Sequence, residues 1–421
     1  MTGIATGNIT PYSSKKGTAA RIVIVGANFA GLTAAMNLPR RCDVTVLDSQ
    51  PHFEFLPNIH ELLSGVKKPQ SLRLDRARLI ERTGHRFMQD TVTSIDPEKK
   101  TVYTSGRKKV SYDFCVVAVG GVNNTMGING AAKFGLPFKS VEQCCNIAGR
   151  LENLMRSKHA ASIVIVGGGL EGIEALGEIL RRYRRNSKLE INVIEKNEKL
   201  LSKESKALDS DVRKTCAPYS VQFHTGTRVT KINERKVWLS SREVLDSDAT
   251  IWTGGAAPPP LLQKSGLAEQ PGTWAPVTGS LQSRCHESIF VAGDAADLEL
   301  VKSKQAYHAM DMGACVAENI KLLAAGKSLK TFRPASKPTI ISFGDLQTYV
   351  IMGSLVAAGA VLAGAKEAAY QAAMAKFDPP MGPFSFLRFS RRAGDSLFNL
   401  ALPAFTSFSS LKRMTNVRLL S

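Results

Sequence analysis

One pattern occurs twice in this chain, and it restricts the fold more than any other feature. The first copy, RIVIVGANFAGLTAAMNLPRRCDVTVLD, runs from Arg21 to Asp48: a β-branched apolar stretch, glycines at 26 and 31, a helical pattern halted at Pro39, and a second apolar stretch ending in Asp48. The second copy, ASIVIVGGGLEGIEALGEILRRYRRNSKLEINVIEK, has a strand at 162–166, then Gly167, Gly169 and Gly172, a helix, and a strand ending in Glu195. Short β-branched runs without alternation suit strands buried on both faces of a parallel sheet, and the glycines mark a tight strand-to-helix turn. The fold class is therefore α/β, with two Rossmann-like, three-layer dinucleotide-binding domains.

Each motif position has a geometric task. Gly26 permits the turn, the middle position lets backbone amides approach a pyrophosphate, and Gly31 brings the helix close to the strand with its N-terminus toward the phosphates. The helix opens through Ala30. Asn28 stands where a glycine is usual, and asparagine tolerates left-handed backbone angles better than other side chains, so the site is expected to survive with altered phosphate contacts. Asp48 lies about twenty residues beyond the glycines, where a carboxylate accepts from both ribose hydroxyls. In the second copy Glu195 occupies the same place; a carboxylate favours a free 2′-hydroxyl and repels a 2′-phosphate, which selects NADH. Lys196 and Lys199 keep NADPH admissible, because either could reach a phosphate.

Composition narrows the class. Seven cysteines at 42, 115, 144, 145, 216, 285 and 315 fit neither a disulfide scaffold nor a paired zinc site, and no metal centre is expected. Residues 1–20 hold no acid, no arginine and no long apolar run, so a disordered tail is expected rather than a secretory signal, and the chain reads as intracellular. The formal charge of +19 raises the question of a polyanion partner. The basic residues are dispersed without a recognisable nucleic-acid motif, which disfavours nucleic acid; the cluster Arg181, Arg182, Arg184 and Arg185 is expected to coat the solvent face of its helix.

Two more segments, YDFCVVAVGG at 112–121 and SIFVAGDAADLE at 288–299, are strands running into glycines. With the paired motifs, they resemble the two-dinucleotide-domain FAD/NAD(P) flavoproteins of the glutathione-reductase type. The resemblance implies FAD and NADH as cofactors and a discontinuous FAD domain, 21–140 with 255–330, around an NADH domain at 141–254. It assigns Asp294 to the ribityl and phosphate portion of the flavin, Val92 in the strand TVTSID to the adenine, Ala118 and Gly120 to the first nucleotide and Gly254 to the second. CxxC and CxxxxC pairs are missing and Cys144–Cys145 adjacency strains a mutual disulfide, so electrons are expected to leave the flavin directly.

The helical pattern at 302–327 closes near Gly326. Lys304, Ala306 and Tyr307, with GIEALGEI at 172–179, narrow the resemblance to type II NADH:quinone oxidoreductases and the ferroptosis-suppressor and apoptosis-inducing-factor-like mitochondrial group. That resemblance places Ala306 at the flavin, Glu174 near nicotinamide and flavin, Lys304 near flavin and quinone, and Tyr307 at the quinone. A sulfide:quinone oxidoreductase-like enzyme and a basic flavin-containing binding protein are the alternatives.

Residues 331–421 are expected to form a C-terminal α+β region that associates with membranes: strands with glycine-rich turns, a helix around 365–376, then an amphipathic surface segment at 384–421. The uncharged run 349–365 falls short of a membrane span. Beyond Pro383, six phenylalanines mix with Arg388, Arg391, Arg392, Lys412, Arg413 and Arg418 against the single acid Asp395, a composition suited to anionic headgroups. A peripheral membrane protein, with room for a homodimer, is the expectation.

Overall fold

The computed structural model describes residues 19–157, 160–301, 304–379 and 417–420. The described residues group into two compact units, one within 19–53, 75–122 and 257–335, the other within 54–74, 123–256, 336–379 and 417–420. Contacts thus group 54–74 and 123–134 with the second nucleotide motif, although both precede it in the chain.

The first unit is built on a parallel five-stranded sheet in the order Ile289–Val291, Phe114–Val117, Arg21–Val25, Asp43–Asp48, Arg86–Gln89. The second unit repeats this plan as Gly135–Pro137, Ala249–Trp252, Ala161–Val166, Leu189–Ile194, Val221–His224, again all parallel. In both sheets the last four residues of the central strand, 22–25 and 163–166, are apolar and buried, as their sequence demands. The duplication goes further than the motifs. Each unit inserts a three-stranded antiparallel sheet, Val92–Asp96 with Thr101–Thr104 and Lys109–Ser111 in one, Val229–Ile232 with Lys236–Leu239 and Val244–Asp246 in the other. Even the bulge recurs, beginning at Val92 in one sheet and at Val229 in the other.

The second unit adds the expected C-terminal layer: antiparallel strands Thr339–Phe343, Gln347–Met352 and Leu355–Ala358, then the helix Ala363–Phe377. A fourth strand, Arg418–Leu420, closes its edge against Leu355–Ala358, and Arg418 pairs with Asp211 at 3.0 Å. The last residues of the expected membrane segment therefore belong to a sheet; 384–416 lies outside the described residues. Among the described residues, no helix is long and apolar enough to cross a membrane.

The arginine cluster departs from expectation. Arg181 is 8% exposed and faces Glu178, and both guanidinium nitrogens of Arg184 bind the carboxylate of Asp345. Two of the four arginines thus point inward, because the C-terminal layer packs on the face that helical periodicity alone assigned to solvent.

Candidate nucleotide cradles and the buried charge network

In the first cradle the turn depends on glycine. Gly26 has φ +92°, and a side chain there would place Cβ 2.4 Å from the Ala118 carbonyl oxygen. A Cβ on Gly31 would come within 1.8 Å of the Gly26 oxygen, so helix and strand approach as closely as backbone allows. Gly167 (φ +114°) and Gly172 repeat both constraints, with the same 1.8 Å approach.

Asn28 is extended, φ −94° and ψ −144°, so its tolerance of left-handed angles is not what admits it. Its counterpart Gly169, φ −81° and ψ −167°, has nothing within 4 Å of a built Cβ. At Gly169 the middle position is therefore open space, and a side chain there would cost the fold little.

The two acidic residues behave alike. Asp48 accepts from the Ala27 amide at 2.7 Å and the Gln50 amide at 2.9 Å; Glu195 accepts from the Gly168 amide at 2.8 Å and the Asn197 amide at 2.9 Å. Each carboxylate ties down its own glycine loop. Asp48 is further held by Arg76, 2.6 Å away, whose guanidinium also donates to the Ala27 and Gln50 carbonyls. Lys196 and Lys199 are exposed beside the second loop.

Parallel register brings Gly26, Asn28, Asp48, Ala118, Gly120 and Asp294 to the C-terminal edge of one sheet, and Gly167, Gly169, Glu195 and Gly254 to that of the other. This is where open α/β sheets receive ligands. The motif helices Phe29–Asn37 and Leu170–Tyr183 carry no side-chain N-cap, whereas Ser140, Ser205 and Asp75 cap theirs. Uncapped first-turn amides with a positive helix end fit a pyrophosphate. Gly254 sits against the Trp252 indole, whose Nε1 donates to the Asn124 carbonyl. Val92 stands apart from these edges, at the start of the antiparallel insertion.

The helix Ala306–Ala324 crosses Phe29–Asn37 at small residues: a Cβ on Gly313 would lie 2.2 Å from the Ala30 carbonyl oxygen. Its first turn, Ala306 and Tyr307, has no side-chain cap either. Burial raises the Tyr307 pKa. Just before it, the Lys304 ammonium donates to the Asp294 carbonyl and lies 3.4 Å from the centroid of Trp274; desolvation lowers its pKa, against the raising effect of Asp294 and Asp297.

Glu174 is held from outside its own helix. Lys366 and the Ser342 amide, at 3.1 Å, both donate to its Oε1, and His60 Nδ1 is 3.5 Å away. Burial pushes the Glu174 carboxyl up while Lys366 opposes it. Burial, aided by Lys366, Arg181 and Lys67, holds the His60 imidazole well below its usual range and so neutral. Arg76, Trp274, His60 and Lys366 carry no signal in the order of residues, since no spacing rule links side chains that meet only through tertiary packing. All seven cysteines are free thiols; burial pushes Cys144 well up and raises Cys145.

Known proteins resemble this chain in sequence and in fold. The chain is 25% identical over 292 residues to demethylphylloquinone reductase NdbB of Synechocystis, covering 66% of this chain and 72% of the relative. It is 25% identical over 353 residues to a type II NADH:quinone oxidoreductase of Staphylococcus epidermidis, covering 77% and 87%. The solved structure of NDH2 from Plasmodium falciparum in complex with NADH shares the fold at a TM-score of 0.77 and 16% identity, over 90% of this chain and 98% of that one. The model of the pyridine nucleotide-disulphide oxidoreductases matches residues 20–313, and the chain belongs to that family.

Proposed function

We propose that the protein is an FAD-dependent NADH:quinone oxidoreductase. The observation that carries this reading is the duplicated cradle: two glycine turns, each at the C-terminal edge of a parallel sheet, each with an uncapped helix and a carboxylate-braced loop. Relatives named as type II NADH:quinone oxidoreductase and demethylphylloquinone reductase support the choice of donor and acceptor. FAD belongs to the first cradle, NADH to the second.

Bound flavin supplies a two-electron carrier that takes hydride at N5 and yields electrons to a quinone. The protein supplies orientation and charge. Gly26, Asn28, Ala30 and Gly31 bring amides and a helix end to the flavin pyrophosphate, Asp48 meets the ribose, Val92 the adenine, and Ala118, Gly120 and Asp294 the rest of the first nucleotide. Gly167, Gly169, Gly172, Glu195 and Gly254 hold NADH. The Ala306 end of its helix stabilises negative charge on reduced flavin. Glu174, Lys304 and Tyr307 serve the reacting centre, Tyr307 on the quinone side. The cationic, phenylalanine-rich segment 384–416 brings the protein to an anionic membrane surface where quinone dissolves.

The test is a stopped-flow experiment on the purified, flavin-loaded protein. NADH should bleach the flavin band and a short-chain quinone should restore it; absence of bleaching by NADH and by NADPH would refute the reading.

A further inference from the structure

One buried charge network in the second unit enters the scheme above only through Glu174. Five carboxyl groups meet there: Glu61, Glu174, Glu178, Asp345 and Glu367. Four basic side chains face them, Lys67, Arg181, Arg184 and Lys366, and His60 is neutral. The pairing is specific. Lys67 binds Glu367 at 2.6 Å with both side chains 2% exposed, Lys366 binds Glu174, and Arg184 binds Asp345. Asn58 donates to Glu61 at 3.0 Å. With every acid ionised, the network would hold one uncompensated negative charge in a buried setting, which is costly enough that a proton binds instead.

The contacts single out the acid that takes it. Glu178 is fully buried, and its only close cation among the described residues, Arg181, lies 3.3 Å away. Glu178 Oε1 and Arg181 Nε are both buried without a hydrogen-bond partner, while Ser64 donates to Oε2. Burial, with Glu61 and Asp345 adding to it, pushes the Glu178 carboxyl up to about 7, against Arg181 and Ser64.

We propose that Glu178, with Ser64 and Arg181, is a buried proton-binding site that supplies the proton consumed in quinone reduction. The supply role rests on the oxidoreductase reading. Hydride from NADH carries two electrons and one proton, whereas a quinol has two new O–H bonds, so one further proton is required for each turnover. In this step the Glu178 O–H bond breaks, the proton leaves along the helix face toward Glu174, one turn away, and the quinol O–H bond forms. A solvated proton taken up from bulk water then restores the Glu178 carboxyl, so each turnover consumes one NADH, one quinone and one solvent proton and yields NAD+ and quinol, with atoms and charge balanced.

Infrared pH-difference spectra of the full-length flavin-loaded protein test the site directly. The expected result is a carboxylic-acid C=O band that titrates near neutral pH and disappears in Glu178→Gln. Ser64→Ala, which removes a donor to the anion, should move that titration to higher pH; a band indifferent to both substitutions overturns the proposal. In steady-state quinone reduction the wild-type kcat should fall roughly tenfold per pH unit above the titration, whereas Glu178→Gln should be slow with that limb abolished. An unchanged limb in Glu178→Gln overturns the supply role. If NADH fails to bleach the flavin while the band still titrates, the oxidoreductase reading falls and the supply role with it, but the proton site stands.

Discussion

Asn28 shows how a single residue can depart from a motif without breaking it. The turn is made by Gly26 and the close approach by Gly31, while the middle position has extended backbone and, in the second copy, open space. Asn28→Gly should therefore leave the melting temperature within about 2 °C of wild type while changing flavin retention on dilution. A large loss of stability would show that the side chain supports the loop. Glu195 accepts two loop amides, and the proposed function adds a ribose to that carboxylate. Glu195→Ala should lower the NADH-to-NADPH ratio of kcat/KM and cost about 1–3 kcal/mol of stability by stranding those amides; an unchanged ratio would remove the carboxylate from the ribose. The raised Glu178 carboxyl carries a sign. Between the ordinary glutamate value of 4.5 and about 7 the folded state binds more protons than the unfolded, so stability is full below this window and falls as pH rises through it, by about 3 kcal/mol in all. Chemical denaturation of Glu178→Gln should lack that slope.

At the scale of elements, the sequence displayed the two motif helices but not what covers them. The helix Leu170–Tyr183 meets the C-terminal layer at Gly177, where a Cβ would lie 2.5 Å from both the Phe343 carbonyl carbon and the Gly344 nitrogen. Gly177→Ala should therefore gain helix propensity yet destabilise the second unit by about 1–3 kcal/mol, because backbone on both sides must give. Limited proteolysis should show 123–256 cut sooner, with 75–122 protected as in wild type. The same contact explains the arginines: periodicity placed Arg181 and Arg184 on a polar face, and the layer carrying Asp345 turned that face inward. Strands 339–358 and the following helix were legible from their glycine-punctuated β-branched runs, whereas the Arg418–Leu420 edge strand was hidden in a segment whose composition points to a membrane.

At the scale of the whole molecule, the C-terminal stretch has a double character. Residues 418–420 complete a sheet, so truncation at Pro383 would remove an edge strand along with the proposed membrane segment. Replacing Phe384, Phe386 and Phe389 by serine spares that strand, and should weaken co-sedimentation with anionic vesicles while leaving flavin content unaltered. Equal co-sedimentation would place the membrane contact elsewhere. The sequence by itself determined the two parallel-sheet cradles, their glycine turns and the acid at each strand end, because these depend on backbone sterics and on residues within one short segment. Only the tertiary structure decided that both acids brace their own loops, that each cradle carries the same antiparallel insertion, and that His60, Lys366 and Glu178 share one buried network. Burial is a property of the assembled layers: the distant segments that exclude water from a carboxyl, and thereby set its charge, leave no periodic trace in the order of residues.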